Sequence, residues 1–370
     1  LSLFQIDTGR EWRGGQRQSF LLTRELRDQG FPVHLVVQPG CPLHEKAEAE
    51  GLPVLPIRMK SETDLGAAYR LSRAMRSKGC VLAHFHDAHA VTIGGAACAR
   101  ARVPLRIVSR RVMFPLKSGP FSKRKYTRNV DAIIAISESV RDVLIQGGID
   151  PARIEVIPSG IDFSPFENIT DRDFLRREFG FAPDDFLAGI VAYLEDSKGH
   201  RYLIEAARLL KARTPKIKII IVGKGTLDLA LDKMSKDLQV DDLVFFLGHR
   251  EDVPRILASL NCFVLSSEAE GLGSSILDAM ASRLPVVATQ VGGIPEVVIH
   301  DETGFLVSPR SPEALAGAIY ELSQNRPLAR RFGQAGYETV HAKFSARAMA
   351  LKVIRVYERL AAKKGIDLNA

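Results

Sequence analysis

Short apolar, β-branched runs alternate with amphipathic helical stretches along this chain, and that alternation constrains the fold more than any other feature. LSLFQI precedes a helical stretch over 15–29, VHLVV one over 42–50, VLPI one over 63–78 and VLAHFH one over 88–101; LRIVS, AIIAIS with 138–146, and IEVIPSG follow. A second series begins after residue 165: FLAGIVAYL with 199–213, IKIIIVGKG with 227–237, LVFFLG with 251–258, CFVLSS with 273–282, then PVVAT, GFLV and helices from 312 onward. Strands that alternate with helices build a parallel sheet covered on both faces, so the fold class is α/β. Two series in 370 residues, at roughly 100–200 residues per domain, predict two doubly wound domains in tandem. Gly and Pro punctuate the junction Ser159-Gly160-Ile161-Asp162-Phe163-Ser164-Pro165. The predicted domains are 1–163, rejoined by a C-terminal helix at 346–364, and 164–345. Ligands of doubly wound sheets bind at the carboxyl ends of the strands, so two such domains facing across a cleft would hold the active site in that cleft.

Composition excludes several classes of protein. With 46% hydrophobic and 25% charged residues the chain is neither disordered nor collagen-like, and no run approaches the ~20 apolar residues of a membrane span. No leader pattern precedes the first strand, and Cys41, Cys80, Cys98 and Cys262 show neither CxxC spacing nor a partnered His run. A reducing, cytoplasmic location is expected, without a zinc site or disulfide framework.

The charge is unevenly placed. Lys and Arg against Asp and Glu number 24 to 16 in residues 1–165 and 27 to 27 in residues 166–370, so the whole excess of +8 lies in the first half. Residues 88–130 hold Arg100, Arg102, Arg106, Arg110, Arg111, Lys117, Lys123, Arg124, Lys125 and Arg128 and no acid. This predicts an anionic partner such as a phosphorylated glycan or an anionic lipid surface; the alternative is a solvated basic face. Only Phe114, Phe121 and Tyr126 interleave the patch and no binding motif accompanies it, so nucleic acid is not expected. Charge and aromatics together within 106–128 would suit peripheral contact with the inner face of the cell membrane.

Residues 267–281, Ser-Glu-Ala-Glu-Gly-Leu-Gly-Ser-Ser-Ile-Leu-Asp-Ala-Met-Ala, follow a buried strand and read as an acid, a Gly-rich turn and a helix. Ser274 or Ser275 can cap that helix, and its first N–H groups form an anion site of the kind that holds phosphate. Glu270 lies on the turn and Asp278 about two turns along the helix, so one carboxylate can reach each end of a ligand and accept from sugar or ribose hydroxyls. Gly14-Gly15 stands between the first strand and a helix beginning near Gln16. A dinucleotide fingerprint is absent there, which argues against a dehydrogenase. His84 and His86 alternate on one strand and share a face. Asp171-Arg172-Asp173 reads as the start of a helix in the second domain.

The stretch from Glu270 to Asp278 is similar to the E-x7-E signature of the retaining nucleotide-sugar glycosyltransferases of family four, which have the GT-B fold of two Rossmann-like domains. Other landmarks occur in the family's order. Trp12-Arg13-Gly14-Gly15-Gln16-Arg17 resembles its N-terminal Gly-Gly loop, His84-Phe85-His86-Asp87 its H-x-H-D segment, and Ile157-Pro158-Ser159-Gly160-Ile161-Asp162 its interdomain turn. Ser197-Lys198-Gly199-His200 resembles its donor-phosphate lysine, Val222-Gly223-Lys224-Gly225 its Gly-x-Gly loop, and Val291-Gly292-Gly293-Ile294-Pro295-Glu296-Val297 its late loop.

The resemblance implies transfer of a sugar, with retention of configuration, from a nucleotide-diphosphate sugar to a glycan or glycolipid acceptor, as in bacterial-type cell-surface polysaccharide or lipopolysaccharide synthesis. It implies no metal and no cofactor beyond the nucleotide sugar as co-substrate. Glu270, His86 and Lys198 are the implied catalytic residues. Gly14, Gly15, Tyr193, Lys198, Gly223, Gly248, Arg250, Glu270, Gly271, Leu272, Gly273, Ser274 and Asp278 are the implied donor contacts, and Arg17, His84, Arg110 and Arg111 the acceptor contacts. Two positions depart from the family pattern: Asp278 stands where Glu is usual, and Tyr193 where Arg is usual. Cations of the first domain, Arg110, Arg111 or Arg17, are expected to supply the missing charge. The alternatives are a nucleotide-sugar epimerase or hydrolase on the same fold, or a degenerate protein that binds glycan or lipid without turnover.

Overall fold

The computed structural model describes residues 1–116, 125–127 and 130–368. Lys117, Phe121, Lys123, Arg124 and Arg128 of the basic segment lie outside the described residues. The chain divides into two compact units, Leu1–Gly160 with Ala346–Ala370, and Ile161–Ser345.

The first unit is built on a parallel sheet of seven strands: β1 (Ser2–Ile6), β2 (Val33–Val37), β3 (Val54–Pro56), β4 (Cys80–Phe85), β5 (Leu105–Arg110), β6 (Ala132–Ala135) and β7 (Ile154–Val156). Their order is β3-β2-β1-β4-β5-β6-β7. Every residue of β1 is buried, as a strand covered on both faces requires; Ser2 at its start and Gln5 in its interior are its polar residues. Helices start where a side chain answers an orphan N–H: Asp64 accepts from Ala67, Asp87 from His89 and Ala90, and Ser137 from Val140. The glycine pair forms the first residues of the helix Gly14–Asp28, two positions earlier than the sequence suggests, and no side chain caps it.

The C-terminal helix Ala346–Ala362 belongs to this unit. It buries Met349, Ala350, Val353, Ile354 and Tyr357 in a core shared with Leu22, Leu26 and Leu35. Each such aliphatic side chain contributes roughly 1.5–3 kcal/mol.

The second unit carries six parallel strands, β8 (Phe186–Val191), β9 (Ile217–Val222), β10 (Val244–Gly248), β11 (Cys262–Leu265), β12 (Val286–Thr289) and β13 (Gly304–Val307), in the order β10-β9-β8-β11-β12-β13. Asp173 is the N-cap of the short helix Phe174–Phe179, and Asp171 accepts from Arg177 at 2.6 Å. In both sheets the chain builds outward on one side and then crosses to the other. The reversal lies between β1 and β4 in the first unit and between β8 and β11 in the second. At such a point the loops leaving adjacent strand ends part to opposite faces, opening a crevice in which ligands bind.

Candidate active site

The two loops at the switch point of the second unit carry Lys198, after β8, and Glu270, after β11. Lys198 Nζ donates to Glu270 Oε2 at 2.6 Å, and both side chains are largely withdrawn from solvent, at 21% and 15% exposure. Ser267 Oγ donates to the same oxygen at 3.4 Å. An ion pair this short and this sheltered is a charge-assisted hydrogen bond.

Backbone contacts fix its register. Ser266 Oγ donates to the Lys198 carbonyl at 3.1 Å, and Glu268 N–H to the Ser197 carbonyl at 2.8 Å. A Cβ at Gly199 would lie 2.1 Å from the Ser266 carbonyl oxygen. On the other side the loop after β12 presses on Glu270: Gly293 N–H donates to the Glu270 carbonyl at 3.2 Å, and a Cβ at Gly292, whose φ is +52°, would lie 1.8 Å from that oxygen. Three loops are thus stacked backbone to backbone, with the ion pair bridging the loop after β8 and the middle one, after β11.

Gly271, Leu272 and Gly273 are buried beyond Glu270, and the helix Ser274–Ala281 begins with Ser274 half-buried. Its N-cap is Gly273 at φ 83°, with no side-chain cap, so neither Ser274 nor Ser275 caps it. A left-handed residue turns the chain sharply enough to start the helix directly, and the first N–H groups stay available to an anion. Asp278 is half-buried on this helix, and Tyr193 half-buried in the loop that leads to Lys198. Gly223 N–H donates to the Gly248 carbonyl at 2.8 Å, joining the turn after β9 to the end of β10.

Arg250 requires a correction. Its guanidinium is held by Asp252 at 2.7 Å and Glu178 at 2.6 Å, hydrogen bonds that push its pKa up. Two carboxylates hold this cation, so in this structure it braces the unit and is engaged away from any free position.

In the first unit the corresponding loops carry Asp7 and His86. Asp87 accepts from Thr8 N at 2.7 Å and Thr8 Oγ1 at 2.7 Å besides capping the next helix, so it clamps the loop after β1 to the loop after β4. Asp7 is fully buried and accepts from Gln16 Nε2, Gly9 N–H and Ser19 Oγ. Burial above all, then the Asp87 charge, raise its pKa. A Cβ at Gly15 would meet nothing within 4 Å, leaving the start of that helix open for close approach, with Gly14 exposed beside it and Arg17 half-buried one turn on.

The two histidines do share a face, with ring centroids 4.4 Å apart. His84, expected to contact an acceptor, is instead fully buried, with Nδ1 on Tyr357 Oη at 2.5 Å and Nε2 on Ser109 Oγ at 2.9 Å. Neither nitrogen is left for a ligand. His86 is 5% exposed, with Nε2 on Gln5 Oε1 at 2.8 Å and Nδ1 accepting from Arg111 Nη2 at 3.2 Å. Burial holds both rings well below the usual histidine range, with Arg111 acting in the same sense. His86 therefore lacks a free nitrogen for proton transfer, and the expectation of direct catalysis by its ring is corrected to a packing and orienting position.

Arg111 is the notable cation of this unit. Its Nη1 donates to the His86 carbonyl at 3.3 Å, its Nε is buried without a partner, and it forms no ion pair among the described residues. Burial lowers it to about 10, against the pull of Asp7 and Asp87. It lines a small cavity with Gln18, Ser109, Pro158 and Ser159. Arg110 is differently occupied, donating to the Phe114 carbonyl and to Tyr126. Tyr126 is 4% exposed, which removes it from any membrane-facing set, and Lys125 pairs with Glu62 at 3.6 Å. Phe114, at 63%, is exposed.

Sequence reasoning missed Gln5, Ser109 and Tyr357. Gln5 carried a signal, a polar residue inside an apolar strand; Tyr357 carried none, because its helix is amphipathic in the ordinary way. Among the described residues no group of three or more His, Cys, Asp or Glu could hold a metal ion, and no helix is long and apolar enough to cross a membrane.

Two Rossmann-like units in tandem, each with its candidate residues on the switch-point loops, place the chain in the GT-B fold class. Anabaena HepE in complex with UDP and glucose superposes with a TM-score of 0.87 at 21% identity, over 97% of this chain and 100% of that one. Residues 12–164 match the model described as Glycosyltransferase Family 4, and residues 171–339 that described as Glycosyl transferases group 1. The chain belongs to the family 4 glycosyltransferases. The UDP-Gal:alpha-D-GlcNAc-diphosphoundecaprenol alpha-1,3-galactosyltransferase of Escherichia coli is 25% identical over 337 residues, 85% of this chain and 86% of that protein. The N-acetyl-alpha-D-glucosaminyl L-malate synthase of Bacillus anthracis is 28% identical over 190 residues, 51% of this chain; the match spans about half the length of that relative, 49%.

Proposed function

We propose that this protein transfers a sugar, with retention of anomeric configuration, from a nucleotide-diphosphate sugar to an anionic glycan or glycolipid acceptor in cell-surface polysaccharide synthesis. The observation that carries the reading is the Lys198–Glu270 pair at 2.6 Å, at the switch point of the second unit, with Glu270 four residues before a helix start that has no side-chain cap among the described residues. A diphosphate needs a cation and N–H donors; a sugar needs a carboxylate for its hydroxyls. One ion pair next to a helix start offers all three, and incoming phosphate would compete with Glu270 for Lys198 while sugar hydroxyls take the carboxylate.

Lys198 and the helix N–H groups then stabilise the charge that develops on the departing diphosphate, and the leaving phosphate accepts the acceptor's proton. Asp278 holds the ribose. Uridine nucleotides are supported as donors by the E. coli relative's name and by the ligands of HepE. Arg111, which forms no ion pair among the described residues, is assigned to the acceptor's negative charge, and the basic segment around Phe114 to contact with an anionic membrane. No metal or further cofactor takes part in this scheme.

The test is turnover over a panel of nucleotide sugars, with and without membrane-extracted acceptor lipids. Nucleotide release that requires acceptor is the expected result. Turnover without acceptor would make the protein a hydrolase or epimerase, and tight nucleotide binding without turnover a binding protein.

A further inference from the structure

A buried chain of hydrogen bonds joins the C-terminal helix to Arg111. Taken in order it comprises Arg111, His86, Gln5, Tyr357, His84 and Ser109: Gln5, His84 and Ser109 from β1, β4 and β5, His86 and Arg111 from the positions just after β4 and β5, and Tyr357 from the helix Ala346–Ala362. Its polarity follows from what each group can do. An arginine cannot accept, so His86 Nδ1 must accept from Arg111 Nη2 and the ring proton sits on Nε2. That proton is donated to Gln5 Oε1 at 2.8 Å, which leaves Gln5 Nε2 to donate to Tyr357 Oη at 3.2 Å.

The Tyr357 hydroxyl has two partners among the described residues, Gln5 and His84. Since Gln5 donates, the hydroxyl proton goes to His84 Nδ1; His84 then carries its own proton on Nε2 and donates to Ser109. The other orientation of the Gln5 amide would force two donors together at Arg111 and His86. From Arg111 Nη2 to Ser109 the direction of each hydrogen bond fixes that of the next.

We propose that Tyr357 is a positioning residue: through Gln5 it holds His86 in the Nε2–H tautomer, and His86, through its ring Nδ1 and its backbone carbonyl, aims the Arg111 guanidinium. The consequence for transfer rests on the function proposed above; the hydrogen-bond polarity does not. Tyr357 is 352 residues from Gln5 and 273 from His84 along the chain. The last helix is thus built into the polar centre of the first unit as well as into its apolar core. Phenylalanine at 357 would keep the packing but leave Gln5 Nε2 and His84 Nδ1 buried without partners, and the amide, no longer held, could turn and release His86 and Arg111.

The experiment is long-range 1H–15N spectroscopy of the histidine rings at about pH 7, the two signals assigned by their loss in His84→Gln and His86→Gln. In the wild type both rings are expected neutral with the proton on Nε2; a proton on Nδ1 of either ring, or a charged ring, overturns the proposal. Gln5→Glu tests the polarity, because the introduced carboxylate accepts at both oxygens. It takes the Tyr357 proton, so His84 must move its own proton to Nδ1; an unchanged His84 tautomer overturns the proposal.

Tyr357→Phe is expected to broaden or shift the His86 signal and to lower transfer about tenfold, while UDP affinity, read by calorimetry, stays within about twofold. A variant with unchanged His86 signal and transfer, and only a lowered melting temperature, overturns the positioning role. Val356→Ala, on the same helix and buried in the core, controls for lost stability and should leave the histidine signals in place. If no donor is turned over by any form, the proposed function fails, and the wild-type and Gln5→Glu spectra still decide the polarity.

Discussion

Gly292→Ala tests whether the stacked loops set the position of Glu270. The added Cβ would lie 1.8 Å from the Glu270 carbonyl oxygen and 2.9 Å from its carbon. An ordinary C···O contact is about 3.3 Å, so the two loops must part by about 1.5 Å. The backbone adds to this, since φ of +52° at this position costs an L residue about 1–2 kcal/mol. A misplacement of about 1 Å at a reacting centre costs on the order of 100-fold in rate, or about 2.7 kcal/mol of barrier at 1.36 kcal/mol per tenfold. Transfer, measured as release of nucleotide diphosphate from the donor the panel identifies, should therefore fall about 100-fold, with a much smaller loss in UDP affinity. The control is Gly317→Ala, in the helix Pro312–Gln324, where a Cβ would meet nothing within 4 Å. It should raise stability by about 0.5–1 kcal/mol and leave transfer alone. A folded Gly292→Ala protein that transfers at the wild-type rate would show that Glu270 is not held by this loop.

Glu270→Ala should abolish transfer while nucleotide-diphosphate affinity stays within about tenfold, and Asp278→Ala should weaken that affinity by roughly 1.5–3 kcal/mol; equal calorimetric affinity for Asp278→Ala and wild type would remove Asp278 from the ribose. His200 is buried with both ring nitrogens unpartnered among the described residues, and burial, then the charge of Lys198, pulls its pKa from 6.5 down to about 4. The unfolded chain takes up this proton first, so full stability holds above pH 6.5 and up to about 3 kcal/mol is lost as pH falls to about 4. His200→Leu should flatten the melting temperature over that interval, and identical slopes for both proteins would refute the assignment. Replacing Lys123 and Arg124 by Ser should reduce sedimentation with anionic liposomes at low salt by about 1 kcal/mol per charge; a wild type that does not sediment would leave a soluble anionic acceptor to explain the patch.

The repeating pattern of the sequence was enough to place the strands and helices. VHLVV occupies β2 and GFLV β13, and the helix over 88–101 begins and ends where its periodicity does. Such features are legible because they depend on neighbours a few residues apart: pleat, helical turn and cap. Asp87 shows the limit even locally, since an acid one residue before a helix is a cap by position, and its second task, clamping Thr8, appears only when β1 and β4 lie side by side. Arg250 could not be told from a phosphate ligand in the sequence, because Glu178 stands 72 residues away. Lys198 and Glu270 were each legible as candidates from resemblance, but their contact across 72 residues is made by the strand order, which brings β8 beside β11. Tyr357 is the extreme case: an aromatic residue at a core position reads as packing, and its hydroxyl gains a role only where the last helix meets two strands from the start of the chain. Local sterics and burial periodicity are written in sequence spacing. The pairing of charges and donors is decided by which strand ends the crossover connections bring together, and no spacing records that.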